Sequence, residues 1–100
     1  MVKYSVNCFI FSSSACVYGE NAFANETDKI QPLNPYGHNK AMIEQVMQDL
    51  SFANKDFCTI ALRYFNPIGA HQSGLIGESP LDIPNNLMPY IMKVANGQLP

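Results

Sequence analysis

The sequence predicts an α/β unit in which two parallel strands are joined by a right-handed crossover through one long helix. Three observations carry that prediction. Cys8-Phe9-Ile10-Phe11 is a short unbroken apolar run, as in parallel strands buried between helix layers. Asn34-Pro35 opens a segment whose apolar residues return at helical spacing as far as Asn54. Phe57 to Phe65 then alternates and is rich in β-branched and aromatic residues, the mark of a second strand. Strand, long helix and strand in that order imply a parallel pair with a right-handed connection.

Taken in order, the first strand runs from about Val6, is expected to be covered on both faces, and delivers Ser12, Ser13 and Ser14 at its carboxyl end. Ligands of open α/β sheets gather at that end, although three serines also suit a plain turn. From Gly19 to Pro35 the chain is polar and reads as a loop, a plausible wall for a site. The helix is expected over about Pro35 to Asn54, with Asn34 as its cap. Ile43, Val46, Met47, Leu50 and Ala53 form its packed side, and Glu44, Gln48 and Asp49 lie outside. After the second strand, Asn66 to Pro84 is a long irregular loop. Leu87, Tyr90, Ile91 and Val94 then mark a helix near Asn86 to Asn96 that Gly97 stops.

Composition excludes several function classes. The 100 residues are 47% apolar with a net charge of −2, which offers no electrostatic footprint for nucleic acid or an anionic membrane. No apolar run approaches the roughly 20 residues of a membrane span, and no secretory leader is evident. Cys8, Cys16 and Cys58 are odd in number and lack metal-ligand spacing, so a reducing compartment is expected, with Cys8 and Cys58 as small strand hydrophobes. His38 and His71 stand apart from each other and from acidic neighbours, and no metal site is expected.

The chemistry is concentrated in Ser14, Tyr36 and Lys40. On a helix opened by Pro35, residues four apart share a face with Cβ atoms roughly 6 Å apart, so the Lys40 ammonium sits beside the Tyr36 phenol. A neighbouring cation stabilises the phenolate, and such a tyrosine can take a proton from an alcohol while hydride leaves the same carbon. The pairing also arises by chance on helix surfaces. Against that, Tyr36, Lys40, Ile43, Met47 and Leu50 recur at helical spacing, which puts a lysine into an apolar stripe where it needs a partner.

Four blocks in order carry a resemblance: Phe11 to Gly19 (FSSSACVYG), Asn34 to Lys40 (NPYGHNK), Leu62 to His71 (LRYFNPIGAH) and Ile83 to Tyr90 (IPNNLMPY). From about Asn7 to Gly97 the chain resembles the UDP-glucose (UDP-galactose) 4-epimerases of the extended short-chain dehydrogenase/reductase superfamily. Tyr-x-x-x-Lys alone is common to the superfamily; the two longer blocks point to the UDP-hexose epimerase branch.

The resemblance implies a Rossmann-like, doubly wound NAD-binding sheet lacking its first βαβ units. Residues 1–65 would be the later part of that domain and residues 66–100 the start of a UDP-sugar-binding region. It implies bound NAD as cofactor and UDP-galactose and UDP-glucose as substrates, interconverted through a 4-keto sugar. It also implies a cytoplasmic enzyme of galactose metabolism whose full-length form is a homodimer. By the same resemblance Tyr36 is the acid/base, Lys40 holds the nicotinamide ribose, and Ser14 bridges the sugar oxygen to the phenol. Phe65 contacts nicotinamide, and Asn66, Asn86 and Leu87 hold the UDP portion. Read without it, Phe65 is better explained as a core aromatic, and Asn66 and Asn86 equally well as turn and capping residues.

The chain departs from the family at Cys16, where threonine is common, and at His38-Asn39, between the tyrosine and the lysine. Gly19, Gly37, Gly69, Gly74, Gly77 and Gly97 supply no G-x-G-x-x-G to cradle a pyrophosphate, and no acidic residue follows such a loop to hold the adenosine ribose. Since these epimerases are roughly three times longer, the chain is expected to be a middle slice, inactive and without NAD affinity on its own. The alternatives are an epimerase of another UDP-sugar and a nonenzymatic truncated or degenerate fragment.

Overall fold

The computed structural model describes residues 2–100. They form two compact units, Met1–Phe65 and Asn66–Pro100. In the first unit, strand β1 (Cys8–Ser14) and strand β2 (Cys58–Tyr64) pair in parallel, in unbroken register from Cys8↔Cys58 to Ser14↔Tyr64. Helix α1 (Pro35–Ala53) is the crossover between them. A single-turn 3-10 helix, Ala15–Tyr18, follows β1 directly.

Local chemistry explains where α1 begins. Asn34 is extended, and its side-chain oxygen accepts a hydrogen bond from the Gly37 amide at 2.8 Å, satisfying one of the free donors of the first turn. Pro35 occupies the first helical position, where a missing N–H costs nothing. At the other end the Asn54 amide returns to the Leu50 carbonyl at 3.0 Å and closes the helix.

The face of α1 turned to the sheet differs from the expected one. Gly37, Glu44 and Met47 are buried, with Lys40, Ala41 and Ser51 half-buried between them. Ile43, Val46 and Leu50, expected to pack, are exposed, and Glu44, expected outside, retains 2% of its surface. Periodicity gave the helix but misjudged its rotation. Apolar residues lie on both sides of α1, and the seating is fixed instead by the close approach at Gly37 and by a partner for Glu44. The expected double coverage of β1 also fails. Alternation along the strands turns Phe9, Phe11, Ser13 and Arg63 toward α1, while Cys8, Ile10, Cys58, Ile60, Leu62 and Tyr64 lie exposed on the opposite face, which no helix of the first unit covers among the described residues.

In the second unit, helix α2 (Leu87–Ala95) follows a long stretch without regular structure. Lys93 donates to the Pro80 and Asp82 carbonyls at 2.9 and 3.0 Å and ties that stretch back to the helix. Beyond the cap residue Asn96, Gly97 takes the left-handed φ of 71° that favours glycine and ends the helix as expected.

Candidate active site

The carboxyl end of β1 gathers the reactive side chains of the first unit. Lys40 donates from Nζ to the Ser12 carbonyl at 2.7 Å, so the amine is fastened to the strand rather than left in solvent. The same nitrogen lies 4.8 Å from the centre of the Phe11 ring and 5.4 Å from that of Tyr36, within cation–π range of both. An ammonium has three donors, and the Ser12 bond uses one of them. Tyr36, one turn earlier, is 54% exposed, so its hydroxyl is open to a ligand.

Ser14 stands two residues beyond Ser12 and is buried. Its Oγ accepts from the Cys16 amide at 3.2 Å and caps the 3-10 helix. That bond orients the hydroxyl and leaves its proton free to donate. Gly37 brings the two parts together: a Cβ there would lie 2.7 Å from the Cys16 carbonyl oxygen and 3.0 Å from Pro32 Cβ. The first turn of α1, which carries Tyr36, therefore rests directly on the 3-10 helix that Ser14 caps. Among the described residues no hydrogen bond joins Ser14 to Tyr36.

Beneath these residues lies a polar network that the sequence reading missed. Arg63 grips Glu44 with both arms, from Nη2 to Oε2 at 2.7 Å and from Nε to Oε1 and Oε2 at 3.1 and 3.2 Å. Ser13 donates to the same carboxylate, and Arg63 Nη1 reaches the Tyr18 hydroxyl at 2.7 Å and the Glu26 carbonyl at 3.1 Å. Every buried side-chain nitrogen and oxygen among the described residues has a partner. Burial pushes the Glu44 carboxyl up, but the bonds from Arg63 and Ser13 and the guanidinium charge outweigh it and hold the group below the ordinary glutamate value. The hydrogen bond to Glu44 raises the Arg63 pKa further, against the opposing effect of burial. A carboxylate four residues after Lys40, in register with Gly37 and Met47, was the available signal.

Phe65 is 60% exposed, so the core role weighed for it does not hold within this unit. It helps line an open cleft of about 350 Å³ with Tyr18, Leu62 and Arg63, a cleft that none of Ser14, Tyr36 and Lys40 borders. Asn66, Asn86 and Leu87 belong to the second unit. Asn86 precedes α2 without capping it, its side-chain amide donating instead to Glu78 Oε1 at 3.3 Å.

Fold and site together define a nucleotide-type α/β crossover with a Tyr–Lys pair and a serine at the carboxyl end of parallel strands. The sequence pattern of the NAD dependent epimerase/dehydratase family matches residues 1–99, and the chain belongs to that family. It is 52% identical over 103 residues to a UDP-glucose 4-epimerase of Caenorhabditis elegans, covering 99% of this chain and 30% of the relative. Among solved structures it resembles the UDP-glucose 4-epimerase of Bifidobacterium longum in complex with NAD+ and UDP, with a TM-score of 0.81 and 47% identity. It also resembles the enzyme of Stenotrophomonas maltophila with bound NAD and formylated UDP-arabinopyranose, with a TM-score of 0.87 and 46% identity. In both, 99% of this chain and 30% of the solved one are covered. The expected α/β class, as part of a Rossmann-like parallel sheet, is borne out, and the chain spans under a third of the length of these relatives.

Proposed function

We propose that the protein to which this chain contributes is an NAD-dependent UDP-glucose 4-epimerase that interconverts UDP-galactose and UDP-glucose in galactose metabolism. The observation that carries the reading is the Lys40 ammonium, held between the Ser12 carbonyl and the Tyr36 ring beside an exposed phenol. Tyr36 removes the proton of the sugar 4-hydroxyl as that carbon is oxidised to a ketone, and returns it when the carbon is reduced from its other face. Lys40 stabilises the phenolate electrostatically, and its two remaining donors suit ribose hydroxyls. Ser14, whose hydroxyl proton is free, bridges the sugar oxygen to the phenol. Bound NAD supplies the acceptor and donor of hydride.

The Lys40 ammonium and the Tyr36 phenol fit the nicotinamide end of that cofactor, and Phe65 is assigned to it by the resemblance alone. The residues present do not fit its pyrophosphate, because none of the six glycines forms the required loop. The isolated chain is therefore assigned no NAD affinity and no turnover. Residues 66–100 begin the sugar-nucleotide region, with Asn66, Asn86 and Leu87 on the UDP portion. The full-length enzyme is assigned to the cytoplasm as a homodimer, without nucleic-acid or membrane partners; no helix among the described residues is long and apolar enough to cross a membrane.

A second reading, epimerisation of another UDP-sugar, draws on Cys16. Its amide holds Ser14 in place, and by the resemblance its thiol stands at a position where threonine is common. The deciding experiment incubates the full-length protein and NAD with UDP-galactose, N-acetylated UDP-hexoses and UDP-pentoses and follows epimer formation by NMR. Turnover of UDP-galactose above the others supports the leading assignment, and failure on UDP-galactose with turnover of another sugar replaces it.

A further inference from the structure

Both ends of the 3-10 helix that follows β1 are tied to one ion pair. Ser14 caps that helix at its start and Tyr18 is its last residue. Immediately before Ser14, Ser13 donates to the Glu44 carboxylate, and at the far end the Tyr18 hydroxyl accepts from Arg63 Nη1 at 2.7 Å. Ser13 and Arg63 are register partners in the parallel sheet, so both side chains turn toward α1. There Glu44 lies four residues after Lys40 and eight after Tyr36, on the helix face they share. Arg63 alone gives the Glu44 carboxylate three bonds, so the two hydroxyls are not needed to complete the pair; they fasten the serine segment to it. Ser13, Tyr18 and Glu44 are all buried. Further chain packed around this unit can only deepen that burial, so the network carries over to the full-length protein.

We propose that Glu44 and Arg63 are positioning residues that hold the Ser14 hydroxyl within reach of the Tyr36 phenol, acting through Ser13 and Tyr18. The proposal rests on the epimerase reading of Ser14 and Tyr36. Tyr36 has anchors of its own, since the Asn34 cap and the close approach of Gly37 to the Cys16 carbonyl seat the first turn of α1. The Ser14 hydroxyl, by contrast, is bonded within its own segment, to the Cys16 amide. Its place relative to Tyr36 is set by what holds that segment from outside. Among the described residues, the side-chain bonds that tie residues 13–18 to other elements are those of Ser13 and Tyr18, and both end on the ion pair. Distance from the reacting atoms does not make such a hold unimportant, because a misplacement of about 1 Å can cost about 10²-fold in rate.

The test measures kcat, KM and denaturation midpoints of the full-length protein with the UDP-sugar it turns over. Ser13→Ala combined with Tyr18→Phe removes both hydroxyls and leaves the ion pair whole. A fall in kcat of about 10- to 100-fold is expected, with KM close to the parent. In a Ser14→Ala background the same two changes are expected to lower kcat no further, since the group they place is already gone. Glu44→Leu combined with Arg63→Met is expected to regain most of the stability that either single change loses but not the kcat, which a merely structural pair would recover along with it. Unchanged kcat on removal of the two hydroxyls, a further loss by the same factor in the Ser14→Ala background, or kcat that returns with stability would each overturn the proposal. In each of these cases an active parent leaves the epimerase reading standing, whereas a parent that turns over no UDP-sugar overturns that reading and the proposal together.

Discussion

Glu44 and Arg63 form a two-armed ion pair between helix α1 and strand β2, with side-chain exposures of 2% and 15%. The pair joins the elements that frame the candidate site, since Ser13 of β1 and Tyr18 of the 3-10 helix bond to the same two side chains. Removing one partner leaves a largely buried charge unmatched, a loss that typically costs about 3–5 kcal/mol. Because Arg63 keeps some solvent, Glu44→Gln in the full-length protein is expected near the lower end, about 3 kcal/mol. Chemical denaturation measures it. Glu44→Leu combined with Arg63→Met should fall closer to the parent than either single change, because no charge is left unpaired; additive losses would show that the two residues are not coupled.

The same pair sets a pH dependence whose sign follows from Glu44. Its folded pKa lies below the ordinary value of about 4.3, so the stability it contributes is complete above that value and disappears as pH falls through the folded pKa. Arg63 is shifted upward, so its contribution persists throughout the neutral and acidic range. Between pH 7 and pH 3, the full-length protein is expected to lose more stability than its Glu44→Gln variant, as read from denaturation midpoints at each pH. Parallel losses would place the acid-sensitive group elsewhere.

Gly37→Ala sets two effects against each other. Alanine in a helix gains about 1 kcal/mol over glycine, but here its Cβ would meet the Cys16 carbonyl oxygen, a backbone atom that cannot swing away. Overpacking of this kind costs about 1–3 kcal/mol, so the clash is expected to win. The variant should be less stable and turn over more slowly, because the displaced turn carries Tyr36. A rise in melting temperature would mean that α1 is not seated on the 3-10 helix this closely.

The long helix was legible because its signals are local: Asn34 caps, Pro35 starts, and apolar spacing carries it to Ala53. The strands were legible for the same reason, β2 to within a residue at each end, whereas β1 runs on through Ser12, Ser13 and Ser14, which were expected at its carboxyl end. The side of α1 that faces the sheet was not legible. Ile43, Val46 and Leu50 looked like a packing surface, whereas the face is chosen by Gly37, which needs no side chain, and by Glu44, whose burial is possible only because Arg63, 19 residues later, reaches it. Long-range pairing of one acid with one base leaves no periodic trace. Tyr36 and Lys40, four apart on one helix, needed no such partner to be found.

Tyr36→Phe tests the proton chemistry directly. The phenyl ring keeps its place beside the Lys40 ammonium, so packing is preserved and only the hydroxyl is lost. General acid–base catalysis contributes typically about 10²- to 10⁴-fold, and removing the group that moves the proton should lower kcat by that order. A uniform binding contribution would instead raise KM and leave kcat unchanged. Steady-state kinetics of the full-length variant with UDP-galactose separates the two. A higher KM with intact kcat would assign Tyr36 to substrate holding and leave the proton transfer to another group. Ser14→Ala should act in the same direction more weakly, since its hydroxyl relays a hydrogen bond to the phenol rather than taking the proton itself.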